Sequence, residues 1–157
     1  MSETQVREGG CACGSVRFHV VGDPILTHCC HCSYCQRENG AAFAVNLLYE
    51  RDRVTIEGET VEVVTPSASG KGQRILRCPK CHVAVSSHYP GGGEAVHFIR
   101  GGTLDDRSDI RPDVHIYISS KQAWVETRDA PEFEEFYNPS EFWSEEQMRR
   151  WKEATSA

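Results

Sequence analysis

The chain has 157 residues, with 23 acidic side chains against 17 basic ones, a formal charge of −6 and eight cysteines. That length suits one domain with a real core. No run of about 18 apolar residues is present to span a membrane. The acidic balance, with no Lys/Arg block, disfavours nucleic acid or an acidic membrane surface as a partner.

Residues 1–8 are polar, lack the apolar middle of a secretory signal, and read as a flexible N-terminal tail. A cytoplasmic location is expected, where thiols stay reduced and available to metal. Gly9-Gly10-Cys11-Ala12-Cys13-Gly14 follows, a thiol pair flanked by glycines that can bend the chain around a metal. Val16, Phe18 and Val20 alternate with Arg17 and His19 as in a strand, Gly22-Asp23-Pro24 turns, and Ile25 to His28 leads into the densest part of the sequence.

That part is His28-Cys29-Cys30-His31-Cys32-Ser33-Tyr34-Cys35, with four cysteines in seven residues. In an extended segment Cys30 and Cys32 point to one side, and a Cys-x-x-Cys turn can fold Cys35 onto the same point. Thiolates about 2.3 Å from a common centre are what zinc requires. Cys29 is out of phase and should face away as a buried thiol. Three ligands leave a position open for chemistry, although His28, His31 or Cys29 could equally close it as a second structural site.

Beyond the cluster, Phe43, Val45 and Leu47 alternate again, and short strands are expected over 54–57, 60–64, 74–77, 83–88, 96–100 and 114–118. Cys78-Pro79-Lys80-Cys81 is a second Cys-x-x-Cys step. By elimination Cys11, Cys13, Cys78 and Cys81 form a closed four-cysteine site, a staple that supplies folding energy. These are chelating spacings rather than a scattered disulfide framework.

Of seven histidines, His115 beside a late strand is the best placed for chemistry. Trp124, Phe133, Phe136, Tyr137, Phe142, Trp143 and Trp151 gather near the C-terminus, where core or rim packing is their default role. Ser144-Glu145-Glu146-Gln147 fits a capping box, and Met148 and Trp151 would share one face of the helix it starts. The fold class expected is mainly β: a single zinc-binding domain over 9–157, built of several small antiparallel sheets with a short C-terminal helix.

Residues 9–18, Cys30-His31-Cys32-Ser33-Tyr34-Cys35-Gln36-Arg37, Gly40, Phe43, the Cys78–Cys81 step, His115-Ile116 and Lys121 to Trp124 together resemble the glutathione-dependent formaldehyde-activating enzyme family, which also contains centromere protein V. The resemblance covers roughly residues 9–135 and departs at two places: His82 stands where the family commonly has glycine, and Cys29 is an extra thiol. It implies two zinc ions per chain, one structural at Cys11, Cys13, Cys78 and Cys81 and one reactive at Cys30, Cys32 and Cys35. The implied activity is that of a carbon–sulfur lyase, joining glutathione to formaldehyde as S-hydroxymethylglutathione. Glutathione carries two carboxylates, for which Arg37, Arg100 and Lys121 are the candidate cations. The competing expectation is a scaffold or protein-interaction module in which both zincs are structural.

Overall fold

The computed structural model describes residues 4–157. Its strands are β1 (Val6–Gly10), β2 (Arg17–Val21), β3 (Leu26–Cys30), β4 (Ala44–Glu50), β5 (Val54–Glu57), β6 (Val61–Thr65), β7 (Gln73–Arg77), β8 (Ala84–His88), β9 (Val96–Arg100) and β10 (Val114–Ile116). The α-helices are α1 (Ser33–Asn39), α2 (Pro139–Phe142) and α3 (Glu145–Ser156). The chain is thus mainly β with a C-terminal helix, as its alternating patterns require. No helix among the described residues is long and apolar enough to cross a membrane.

The strands gather into two sheets, ordered β1-β2-β5 and β10-β3-β4-β9-β8-β7-β6. Every pairing is antiparallel except β10 with β3, which sets Val114, His115 and Ile116 beside His28, Cys29 and Cys30. This parallel pair brings a residue far along the chain, His115, to the cysteine-rich segment. Strand β4 lies inside the larger sheet between β3 and β9, and Leu47, Leu48 and Tyr49 are almost wholly buried. Both its faces are covered, so its apolar run is continuous rather than alternating.

The tail expected over 1–8 is corrected from Val6 onward, where the chain forms β1 and pairs with β2 from Val6–Val21 to Gly10–Arg17. Alternating burial of Arg7 and Gly9 marks it as a strand, and Arg7 binds Asp109 through both its terminal nitrogens at 2.8 and 2.9 Å. A polar composition concealed it, because its inward positions are filled by an ion-paired arginine and a glycine. Gly9 serves close approach rather than a bend: a Cβ there would sit 2.4 Å from the Thr103 carbonyl oxygen.

Helix α3 starts as its sequence dictates. The Ser144 side chain accepts from the Gln147 amide while Gln147 Oε1 accepts from the Ser144 N–H, a full capping box. Arg150 anchors the helix to β4 through Glu50, at 2.5 and 2.7 Å. Met148 and Trp151 share a face and pack on the core around β3 and β4.

Candidate metal centre

The four-thiol group lies where the two sheets meet. Cys11 follows β1, Cys13 precedes β2, Cys78 follows β7 and Cys81 precedes β8. Their sulfurs all lie within 4.8 Å of one another, with Cys11–Cys13 and Cys13–Cys78 both at 3.6 Å. A tetrahedron with metal–sulfur bonds of about 2.3 Å has edges of about 3.8 Å, so the arrangement suits a metal ion closely. Backbone amides of Val16 and Lys80 donate to the sulfurs of Cys11 and Cys78, at 3.3 and 3.4 Å. Hydrogen bonds from Ser15 bring the Cys13 thiol down to about 6.

The knuckle closes through a non-glycine residue in a left-handed conformation. His82 has φ +65°, its amide donates to the Cys78 carbonyl at 2.9 Å, and Arg77 donates to its own carbonyl at 2.8 Å. The departure from glycine noted in the sequence therefore falls on a position whose backbone favours glycine.

The three-thiol group is built differently from the extended segment and turn that spacing suggests. Strand β3 ends at Cys30, Cys32 is the N-cap of α1, and Cys35 sits in that helix. The Cys32 sulfur takes the role of a capping oxygen and accepts from the Cys35 amide at 3.3 Å. Gly40, with φ +59°, ends the helix and turns the chain toward β4. Cys30, Cys32 and Cys35 are all buried, and their sulfurs lie within 4.8 Å of one another. None of His28, Cys29 and His31 joins that group.

The electrostatics of the bare cluster are those of three thiols competing for one negative charge. Hydrogen bonds from Cys30 and Cys35, then backbone amides, hold Cys32 down at about 3. Cys30 is pushed upward, chiefly by its bond to the charged Cys32 and then by its bond to Cys35 and burial. A divalent cation among the sulfurs would relieve that competition, which is why the donor set fits a metal.

Cys29, facing the other way as its phase requires, belongs to a separate buried chain. Its sulfur is 3.5 Å from His31 Nε2, which is 2.8 Å from His115 Nδ1. His115 Nε2 in turn lies 2.8 Å from Asp129 Oδ1. Burial, with the Asp129 charge, pushes the Cys29 thiol up to about 12, so it remains a neutral thiol. His115 thus ties His31, at the entry to α1, to β10. Gln36 adds to this lock, donating to the His31 and Ser120 carbonyls at 2.8 and 2.9 Å.

A cavity of about 420 Å³ opens directly over Cys30, Cys32 and Cys35. Tyr34, Tyr89, Phe98, Tyr117, Phe136, Trp143 and Trp151 share its wall. Core or rim packing is the role the sequence favours for the C-terminal aromatics over a substrate wall, yet Phe136, Trp143 and Trp151 line this cavity. Tyr117 reaches the cavity from a left-handed backbone, φ +57°, just after β10. Its hydroxyl is held protonated by burial and by the neighbouring cysteine charges.

The cations expected for carboxylate binding are elsewhere. Arg37 is exposed on α1, and Lys121 donates to the Val125 carbonyl at 2.8 Å. Arg100 is buried on β9 and donates to Asn46 Oδ1 and Ser87 Oγ, both at 2.8 Å. None of the three lines the cavity.

The model of the family "Glutathione-dependent formaldehyde-activating enzyme" matches residues 6–120. A Halomonas elongata protein named "Putative glutathione-dependent formaldehyde-activating enzyme" is 31% identical over 125 residues, covering 76% of this chain and 79% of the other. A crystal structure of a Rhodobacter sphaeroides protein aligns with a TM-score of 0.47 at 16% identity, over 67% of this chain and 91% of that one. With a matched span that takes in both cysteine groups, the chain belongs to the glutathione-dependent formaldehyde-activating enzyme family.

Proposed function

We propose that the chain is a carbon–sulfur lyase that joins a thiol to a small aldehyde, glutathione or a related thiol and formaldehyde being the pair in the family's name. The observation that carries this reading is a group of three buried thiols, with no fourth Cys, His, Asp or Glu among the described residues, at the floor of a cavity. Two zinc ions per chain belong to the proposal, a structural one at Cys11, Cys13, Cys78 and Cys81 and a reactive one held by Cys30, Cys32 and Cys35. Bound there, zinc would bring an incoming thiol into its thiolate form at neutral pH.

The rest of the work falls to the chain itself. In the reaction the sulfur bonds to the aldehyde carbon, the carbonyl π bond breaks, and the thiol's proton ends on the new alkoxide oxygen. The Tyr117 hydroxyl, protonated and in the cavity wall, is the donor suited to that oxygen. The bond from Cys30 and, more weakly, the Arg100 charge favour the charged form of Cys35, against the larger combined rise from Cys32 and burial. The aromatic wall excludes water, which would otherwise hydrate the aldehyde and weaken each electrostatic contact.

Proton counting tests the reading. Glutathione at millimolar concentration should bind the zinc-loaded protein with release of about one proton near pH 7, because its thiol enters as thiolate. S-methylglutathione, with the same carboxylates and no acidic thiol, should release none. Calorimetry in buffers of different ionisation enthalpy gives both numbers. Equal counts would place the thiol away from the cysteines and favour the scaffold reading instead.

A further inference from the structure

The cavity over the three thiols has a polarity that bears on which thiol it takes. Any thiol whose sulfur reaches Cys30, Cys32 and Cys35 must lay the rest of its body along this wall. The polar edges of the ring cluster there are already engaged with one another. His28 Nε2 lies 2.5 Å from the Tyr137 hydroxyl, and Trp143 Nε1 donates to the same hydroxyl at 2.8 Å. What these side chains leave for a ligand is carbon, and Leu48, Phe98, Phe136 and Met148 extend it.

Apart from the three thiols at its floor, the lining carries little charge. Lys71, exposed on the turn that follows β6, is its one cation among the described residues. The other polar groups at the wall bring no counter-charge: Ser67 pairs with Ser69 at 3.0 Å and Asn46 Oδ1 with Arg100, and the hydroxyls of Tyr34, Tyr89 and Tyr117 share the lining. Gln73 is buried and its Oε1 has no partner among the described residues. An amide offers a hydrogen bond to a neutral polar substituent, and gives a carboxylate no counter-charge.

Glutathione brings two carboxylates and an ammonium group. Seating both carboxylates here would strip their water with a single rim lysine in compensation, on a chain already at −6. An uncharged body gains from the same burial. We infer that the thiol this site takes has an uncharged, aromatic or branched-aliphatic body rather than the doubly carboxylated tripeptide. The inference rests on the thiol–aldehyde reading of the three-cysteine site.

Cobalt(II)-loaded protein separates the two ideas, since a thiolate reaching the three-cysteine ion intensifies the sulfur-to-cobalt absorption band. Titrations with benzyl mercaptan and with glutathione, two alkyl thiols, should both raise the band, and benzyl mercaptan should bind about tenfold more tightly or better. Phe136→Ser, a change at a half-exposed wall residue, should weaken benzyl mercaptan about threefold or more and leave glutathione nearly as it was. Glutathione binding as tightly as benzyl mercaptan, with that affinity lost in Lys71→Ala, would overturn the inference and leave the thiol site standing. No change of the band with either thiol would overturn the thiol–aldehyde reading, and the inference with it.

Discussion

Arg100 donates to Asn46 Oδ1 at 2.8 Å across the β4–β9 pair, and no carboxylate among the described residues lies within ion-pair distance of it. A buried guanidinium held by neutral acceptors keeps its charge for its surroundings. Those surroundings include Cys35, whose ionised form it favours. Three thiolates around a divalent ion carry a net −1, which Arg100 offsets. Arg100→Met should therefore weaken metal at Cys30, Cys32 and Cys35 about tenfold, roughly 1.4 kcal/mol, and leave the four-cysteine group loaded. Competition with a chromophoric chelator, read as two phases of release, measures both.

The two cysteine groups should also part company in stability. Cys78 is fully buried at the junction of the sheets, so Cys78→Ser should unfold or aggregate the protein. Cys35→Ser should give a folded chain with one zinc, seen by elemental analysis and circular dichroism. Equal unfolding by both would remove the division into staple and reactive site.

His82 offers a gain of stability. Its left-handed backbone carries a strain that glycine lacks, offset in part by glycine's greater freedom when unfolded. His82→Gly should raise stability by about 1 kcal/mol, visible as a higher urea midpoint with an unchanged slope.

Acid sensitivity follows from buried neutral histidines. His97 is lowered from 6.5 to about 4, by burial first and the charge on His88 second. Between those values the unfolded chain binds a proton that the folded chain refuses. The stabilisation is therefore full above about pH 6.5 and is lost as pH falls toward 4. From pH 7 to 5.5 this one residue should cost about 1 kcal/mol, and His97→Gln should flatten the fall by that amount in urea titrations.

Tyr117→Phe tests the proposed oxyanion donor. It should lower kcat about tenfold or more while thiol affinity changes little, since only the developing alkoxide needs the hydroxyl. A loss confined to KM would assign Tyr117 to binding alone.

Much of this could be read from the residues. Alternation located most strands after β1 to within about two residues, a typical boundary error, but β4 runs three residues past Leu47, where its pattern stopped, and the cysteine-rich β3 showed no strand pattern of its own; the capping residues set the start of α3. Spacing grouped the seven cysteines as the folded chain does. What spacing could not supply was long-range or hidden. Helix α1 is only seven residues long with Cys32 as its cap, a residue rarely counted as a capping signal. The His31–His115 contact spans 84 positions and exists only because β10 pairs parallel with β3. The cavity wall needs both the sheet and α3 in place before its aromatics have a common surface.

Every cysteine of the two groups falls within residues 6–120, the span shared with the family, whereas Phe136, Trp143, Met148 and Trp151 lie after it. Part of the fit is thus written outside the stretch that carries the sulfurs. Substitutions after residue 120 can reshape what is admitted without touching a single sulfur. Relatives with identical cysteine spacing can accordingly diverge in the thiols they admit, and a place to look for that divergence is the stretch after residue 120 rather than the motifs by which the family is recognised.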